Sequence, residues 1–260
     1  MQTYPFTSAL LTGASSGIGE AMVHLLGQAG VPTVLVARRT DRLEELAARY
    51  AGFEVLTADL NSAKGLAAVQ ARVLSTGEPI DLVVNNAGFG TSGLFHEIGP
   101  DRLHDEIGLN VQALTMLSNA ALRVMIPRGR GYLLNVSSMA SFQPAPRLAV
   151  YAATKAYVTS LTESLHEEVR GTGVHVTALC PGLTKTEFQS VSNTDSYASS
   201  FPNFAWLKVD DVAAGGLADV AKGKALSVPG MMYKGITVAT GVTPRAITRR
   251  ISSLVQRGGE

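Results

Sequence analysis

The sequence predicts an α/β fold: one doubly wound parallel sheet of about seven strands, flanked by helices, with residues 1–260 as a single domain. Three observations predict it. Short apolar runs alternate with helical patterns, the rhythm of βαβ units joined by right-handed crossovers. Runs such as Val34-Leu35-Val36 and Leu82-Val83-Val84 are apolar without alternation, as strands covered on both faces are. No repeat, low-complexity tract or linker divides the chain.

The elements follow in order. A first strand is expected at 8–11, where Ala9-Leu10-Leu11 is apolar. A glycine-rich turn over 12–19 leads into a helix at 17–29, with Ala21, Met22, Leu25, Leu26 and Ala29 at helical spacing. Strands at 33–37, 54–58 and 82–85 then alternate with helices at 41–51, 63–74 and 101–126. Strands at 132–137 and 174–180 precede helices at 151–171 and 210–220, and a strand at 225–228 closes the sheet. Residues 185–208 break the rhythm: they are rich in Ser, Asn and Thr and carry Phe188, Tyr197, Phe201, Phe204 and Trp206. A long irregular segment just beyond a strand end is where a doubly wound sheet binds ligand.

Composition narrows the function. At 46% hydrophobic and 17% charged residues the chain is globular, and its net charge of +1 implies no nucleic acid or other strong polyanion as partner. Cys180 is the one cysteine, so no internal disulfide can form, which fits a reducing, cytoplasmic setting. Cys180 lies in an apolar strand and is expected to be an inert core thiol. The five histidines are scattered without metal-ligand spacing, so no metal site is expected. Residues 1–6 are too short and polar for a signal peptide, and no run reaches the ~18 apolar residues of a membrane span.

Chemistry enters at Tyr151 and Lys155. Four apart on a helix, a phenol and an ammonium share one face. A tyrosine base working near neutrality needs a shift of about 2–3 units, roughly 3–4 kcal/mol. An ammonium about 4 Å away at an effective dielectric near 20 supplies on the order of 4 kcal/mol. Ser138 lies thirteen positions before Tyr151, with Ser137 as its competitor; adjacent strand residues point to opposite faces, so only one should reach the site. The turn Thr12-Gly13-Ala14-Ser15-Ser16-Gly17-Ile18-Gly19 sits between strand and helix, the setting a dinucleotide pyrophosphate needs.

With Asp59, Asn85-Asn86-Ala87-Gly88, Asn110 and Pro181-Gly182 in the same order, the chain resembles a short-chain dehydrogenase/reductase over nearly its whole length. The resemblance implies a Rossmann-like fold and reversible hydride transfer between a nicotinamide cofactor and a carbonyl or carbinol carbon. It implies Tyr151 as acid/base, Lys155 tuning it and holding the nicotinamide ribose, and Ser138 rather than Ser137 binding the substrate oxygen. It makes Asn110 the holder of a water linking Lys155 to solvent. It places Gly13, Ser15, Ser16, Gly17, Ile18 and Gly19 around the pyrophosphate, and Asp59 and Leu60 at the adenine. Asn86, Ala87 and Gly88 line the adenosine ribose, and Pro181, Gly182, Thr184 and Thr186 the nicotinamide end. Asp59 could instead cap the helix starting near Ser62.

Cofactor choice rests on Ala37, Arg38 and Arg39. A carboxylate about 20 residues past the glycine turn would hold the ribose 2′-hydroxyl of NAD; here two guanidiniums suit a 2′-phosphate, so NADP(H) is expected over NAD(H). The competing reading pairs the arginines with Asp41, Glu44 or Glu45. Phe89, Gly90, residues 139–143 and 188–206 are the candidate substrate pocket, whose apolar character suggests a hydrophobic carbonyl compound.

Residues 245–257 read as a basic amphipathic helix, with Ile247, Ile251, Leu254 and Val255 against Arg245, Arg249, Arg250 and Arg257. Packing on the fold or on another subunit is favoured over contact with an anionic membrane or acyl carrier. The resemblance implies a homodimer or homotetramer through the helices near 101–126 and 151–171. Two alternatives compete with the enzyme reading. One is a non-catalytic NADPH-binding regulatory or scaffold protein. The other is a serine hydrolase using Ser15 within Gly13-Ala14-Ser15-Ser16-Gly17.

Overall fold

The computed structural model of the chain describes residues 3–194 and 202–243. Seven parallel strands form one sheet: β1 Ala9–Thr12, β2 Thr33–Ala37, β3 Glu54–Thr57, β4 Leu82–Asn85, β5 Gly131–Val136, β6 Val174–Leu179 and β7 Leu226–Ser227. Their spatial order is β3-β2-β1-β4-β5-β6-β7. The order reverses between β1 and β4, and the carboxyl ends of these strands therefore bound a crevice.

The unalternating runs have the cause inferred for them. Successive strand residues point to opposite faces, and both faces here are buried. Leu11, Leu35, Val84 and Leu134 join Met22, Leu26 and Leu217 in one core layer. Their neighbours Leu10, Val34, Val83 and Leu133 join Val69, Leu117 and Met125 in the other. The first layer is covered by α1 Gly17–Gln28, α2 Thr40–Ala47 and a helix at Val209–Ala221. The second is covered by α3 Ala63–Leu74, α5 Leu114–Arg128 and α6 Ala149–Glu168.

The expected continuous helix at 101–126 is corrected. It is α4 Pro100–Ile107, a π-helical turn Gly108–Ala113, and then α5. The wide turn coincides with the buried Asn110, whose amide is held from outside the helix, and such bulges arise where an external partner takes a residue out of the α ladder. Gly129, at φ +65°, ends α5 in the left-handed region that glycine tolerates. Past β6 come a short helix α7 Phe188–Val191, the helix α8 Val209–Ala221 named above, and α9 Met231–Val242, which is not among the expected helices. The basic segment 245–257, with Tyr197 and Phe201, lies outside the described residues. Among the described residues no helix is long and apolar enough to cross a membrane.

Two polar clusters secure the sheet. At its amino edge Asp81 accepts from the backbone N–H and hydroxyl of Thr7 at 3.1 and 2.5 Å and from Arg130 at 3.0 and 3.2 Å. Between β4 and β5 the buried Asn85 amide donates to Asn135 at 2.9 Å and to Ser118 at 3.1 Å, and Asn135 donates to Thr162 at 3.0 Å. Asn135→Ala strips several buried groups of partners at once. It is expected to cost about 2–3 kcal/mol of unfolding free energy, read by denaturant titration.

Candidate active site

The loops after β1 to β6 contribute to one cavity of about 920 Å³. The predicted catalytic and cofactor residues line it, Gly19 and Asn110 excepted; of the predicted substrate-pocket residues, Phe89, Met139, Ala140, Phe142 and Gln143 line it and Gly90 and Ser141 do not. One end is polar and held by the glycine turn; the other is apolar, around Phe89, Met139, Phe142, Phe188 and Phe204.

The glycine turn is built by close approach. Gly13 has φ +67°, and a Cβ there would lie 2.7 Å from Asn86 Nδ2 and 2.9 Å from Ala87 Cα. Gly17 has φ +58°, with Thr186 Cβ 3.1 Å from the same imagined atom. A Cβ on Gly19 would meet the Gly13 carbonyl, so Gly19 lets α1 start directly under the turn. The Asn86 amide donates to the carbonyls of Thr12 and Gly13 at 3.0 and 3.1 Å, and Thr12 Oγ1 accepts from the N–H groups of Asn86 and Ala87. Asn86 thus lines the cavity while its amide is committed to shaping the turn. Ser16, the residue before α1, places no side-chain cap on the helix, so the first-turn N–H groups face the cavity for an anion. This cradle fits a dinucleotide pyrophosphate.

Arg38 and Arg39 both line the polar end. The pairing foreseen with Asp41, Glu44 or Glu45 is corrected for Arg39. Its guanidinium donates to the Ser15 carbonyl at 2.8 Å and to the Ser15 hydroxyl at 3.1 and 3.2 Å, and pairs with Glu187 at 3.0 Å across the cleft. It is Arg42 that pairs with Glu45, and also with Glu20. A guanidinium cannot take a proton from Ser15, and among the described residues no histidine lines the cavity. A serine nucleophile at Ser15 therefore has no histidine base among the cavity-lining residues. Asp59 does not cap α3 with its side chain; its Oδ1 accepts from Asn61 N at 3.0 Å, and Ser62 caps the helix at Gly65 N.

At the junction of the two ends sit Tyr151 and Lys155, both buried on α6. The tyrosine ring packs 5.3 Å from that of Phe188 and against Gly90, where a Cβ would be 3.1 Å from the ring. Ser138, two residues beyond β5, lies beside the phenol, while Ser137 points the other way, to the Lys155 carbonyl and Thr159 Oγ1 at 2.9 and 2.7 Å. Strand alternation separates the two serines as expected.

The expected lowering of Tyr151 by Lys155 is corrected. Burial pushes the phenol up to about 12, against the pull of Ser138. Burial pushes Lys155 down to about 8. The ammonium donates to the Val136 carbonyl at 2.8 Å and lies 5.7 Å from the tyrosine ring centre, so loss of hydration outweighs its attraction. Cys180 is buried, and burial raises its thiol to about 11. Asn110 Oδ1 accepts from Phe89 N at 3.1 Å, and its Nδ2 donates to the Phe89 carbonyl and Thr154 Oγ1 at 2.7 and 3.1 Å. A Cβ on Gly88 would lie 2.9 Å from Asn110 Oδ1 and 3.4 Å from Lys155 Nζ, so the glycine lets both groups close in.

Sequence reasoning missed α9, which brings Met232, Tyr233, Ile236 and Thr240 to the cavity. The Tyr233 hydroxyl donates to the Ala205 carbonyl at 2.7 Å and accepts from Leu183 N at 3.0 Å, pinning the segment after β6. It also missed Glu106, the one fully buried residue of α4. An acid in Asp101-Arg102-Leu103-His104-Asp105-Glu106 reads as solvent-facing, and only the packing of α4 shows otherwise.

The short chain dehydrogenase family model matches residues 7–196. An uncharacterized oxidoreductase of Staphylococcus epidermidis is 35% identical over 179 residues, covering 68% of this chain and 78% of its own. One of Myxococcus xanthus is 35% identical over 197 residues, covering 74% and 78%. Among solved structures, a short-chain dehydrogenase from Sphingobium yanoikuyae in complex with NADPH superposes with TM-score 0.81 at 32% identity, covering 90% of this chain and 93% of that one. A bulky-bulky ketone specific alcohol dehydrogenase from Comamonas testosteroni gives TM-score 0.76 at 27% identity, covering 92% and 96%. The chain belongs to the short-chain dehydrogenase family of oxidoreductases.

Proposed function

We propose that the protein is an NADP(H)-dependent oxidoreductase interconverting a carbonyl and an alcohol on a bulky apolar substrate. The observation that carries this is the placement of Tyr151, buried between the glycine cradle and the apolar end, with Ser138 and Lys155 beside it. The nicotinamide cofactor, when bound, supplies or accepts the hydride. The chain does the rest. Ser138 orients the substrate oxygen, Tyr151 gives or takes its proton, and the apolar wall of Phe89, Phe142 and Phe188 excludes water. A phenol at about 12 is a neutral proton donor at physiological pH, which suits the reductive direction.

Arg38 and Arg39, with Ala37 in place of an acid, support NADP(H), and the structurally similar Sphingobium yanoikuyae protein binds NADPH. The similarity to a bulky-ketone alcohol dehydrogenase supports a large apolar substrate. Exposed Met116, Ile126 and Tyr157 on α5 and α6 support association of copies through these helices.

The test is NADPH oxidation against ketones, aldehydes, diketones and acyl thioesters, with NADH in parallel. Turnover that favours NADPH and bulky ketones is expected; tight NADPH binding with no turnover on any carbonyl would replace the enzyme reading by the non-catalytic one. Arg39→Ala is expected to weaken NADPH binding by about 10–100-fold, through loss of charge-assisted hydrogen bonds, and to leave NADH binding close to unchanged. Cofactor fluorescence titration checks it.

A further inference from the structure

Arg39 faces the cavity with one edge of its guanidinium already engaged. Nε and Nη2 donate to the Ser15 hydroxyl at 3.2 and 3.1 Å, and Nη2 also donates to the Ser15 carbonyl at 2.8 Å. A guanidinium carries its five N–H donors in a fixed planar fork. With the Nε–Nη2 edge held by the glycine turn, Nη1 is what remains for an anion. Glu187 holds it, with Oε2 3.0 Å from Nη1. Arg38, also exposed on the cavity wall, has no ion pair among the described residues.

Glu187 is presented to that edge by a segment tied at several points. Gln189 accepts from Thr186 N at 3.0 Å and donates to the Thr184 carbonyl at 2.8 Å, and Phe188 N donates to Thr186 Oγ1 at 3.2 Å. Thr186 packs over Gly17, and Phe188 packs on the Tyr151 ring. Beyond α7, Ser192 Oγ accepts from Gly90 N at 2.9 Å, which fixes the far end to the loop after β4. The carboxylate therefore stands across the polar end of the cavity because the backbone around it is held there.

We propose that Glu187 is a specificity-determining residue, which competes with the 2′-phosphate of NADPH for the Nη1 edge of Arg39 and so narrows the preference for NADPH over NADH. The proposal rests on the reading of Arg38 and Arg39 as the 2′-phosphate site. A carboxylate and a phosphate make the same kind of charge-assisted bond to a guanidinium, so each excludes the other from that edge. NADH has a 2′-hydroxyl there, with no charge to draw Arg39 away, and leaves the ion pair in place. The pyrophosphate is common to both cofactors, so repulsion between it and Glu187 cancels in the ratio of their affinities. Exposed ion pairs are weak, in part because two long side chains must be ordered to form them. Here the bonds to Ser15 already order Arg39, which puts this pair at the upper end of that class.

The test is calorimetric titration of the full chain with NADPH and NADH, and with adenosine 2′,5′-bisphosphate and 5′-AMP, which carry the same distinction without a nicotinamide. In Glu187→Gln the affinity for NADPH relative to NADH is expected to rise about 3–5-fold, the worth of one exposed ion pair. The bisphosphate should gain by the same factor over 5′-AMP. Glu187→Ala, which removes the competing group altogether, should give the same gain, with a Tm close to that of the parent. In the Arg39→Ala background neither substitution should move the ratio. Glu167→Gln removes an equal charge from an exposed pair on α6 outside the cavity and should leave the ratio as it is. A fall in relative NADPH affinity in the Glu187 variants would make the pair a clasp over bound cofactor, and overturns the proposal. An unmoved ratio in these variants, where Arg39→Ala alone weakens NADPH, also overturns it and leaves the cofactor reading standing. An unmoved ratio in Arg39→Ala itself overturns both, because Arg39 then does not meet the 2′-phosphate.

Discussion

Tyr151→Phe is expected to lower carbonyl reduction by about 1,000-fold while leaving the fold and NADPH binding in place. The ring is what packs: it sits against Phe188 at 5.3 Å and over Gly90. Phe keeps that ring and removes the proton donor. Because burial holds the phenol at about 12, wild-type reduction should show no loss from tyrosine ionisation below that pH, and any decline nearer 8 belongs to Lys155. Single-turnover kinetics with pre-bound NADPH, together with cofactor fluorescence, reads both halves of the prediction. Unchanged turnover in the variant would remove Tyr151 from the chemistry.

Gly19→Ala carries the second large effect, and it acts on the cofactor end. The new methyl would occupy the space of the Gly13 carbonyl and come 2.5 Å from Asn86 Nδ2. The neighbours it meets are a backbone carbonyl and an amide already bonded to Thr12 and Gly13, so neither can swing aside. The start of α1 must move away from the turn. Overpacking of this kind costs about 1–3 kcal/mol, and the loss of cradle geometry is expected to weaken NADPH binding by about 100-fold. Gly77→Ala is the control, since nothing lies within 4 Å of a Cβ there. A Gly19→Ala protein that binds NADPH as tightly as its parent would show that the turn is not the pyrophosphate cradle.

What could be read from the sequence was what is decided locally. The strand runs declared themselves because both sheet faces are buried, which leaves no polar alternation to misread. The glycine turn was legible because three glycines in eight residues are required by two positive φ angles and one close approach. Alternation said that only one of Ser137 and Ser138 reaches the site, and the family spacing to Tyr151 chose Ser138.

What could not be read depends on partners far along the chain. Arg39 finds Glu187 and Ser15 rather than the acids of its own helix. The break at Gly108–Ala113 is tied to Phe89 and Thr154, which a helical pattern of apolar residues does not announce. Helix α9 begins after Gly230 at φ +85° and contains Gly235 and three threonines or glycines near its end, so its local propensity is weak and tertiary packing of Tyr233 makes it. The electrostatics of Tyr151 failed for a related reason. An estimate from residue spacing supplies a charge and a distance but not the hydration that both groups lose.

The Asp81 cluster has a consequence for how the protein can change. Thr7, Asp81 and Arg130 sew together the amino edge of the sheet, at the opposite end of the strands from the cavity. None of these residues lines the cavity, and the loops that do are separated from the cluster by the full length of the strands. Robustness and substrate choice are thus written on opposite ends of the same sheet. A lineage can rewrite the loops beyond β4, β5 and β6 in pursuit of new substrates while the seam at Asp81 stays as it is.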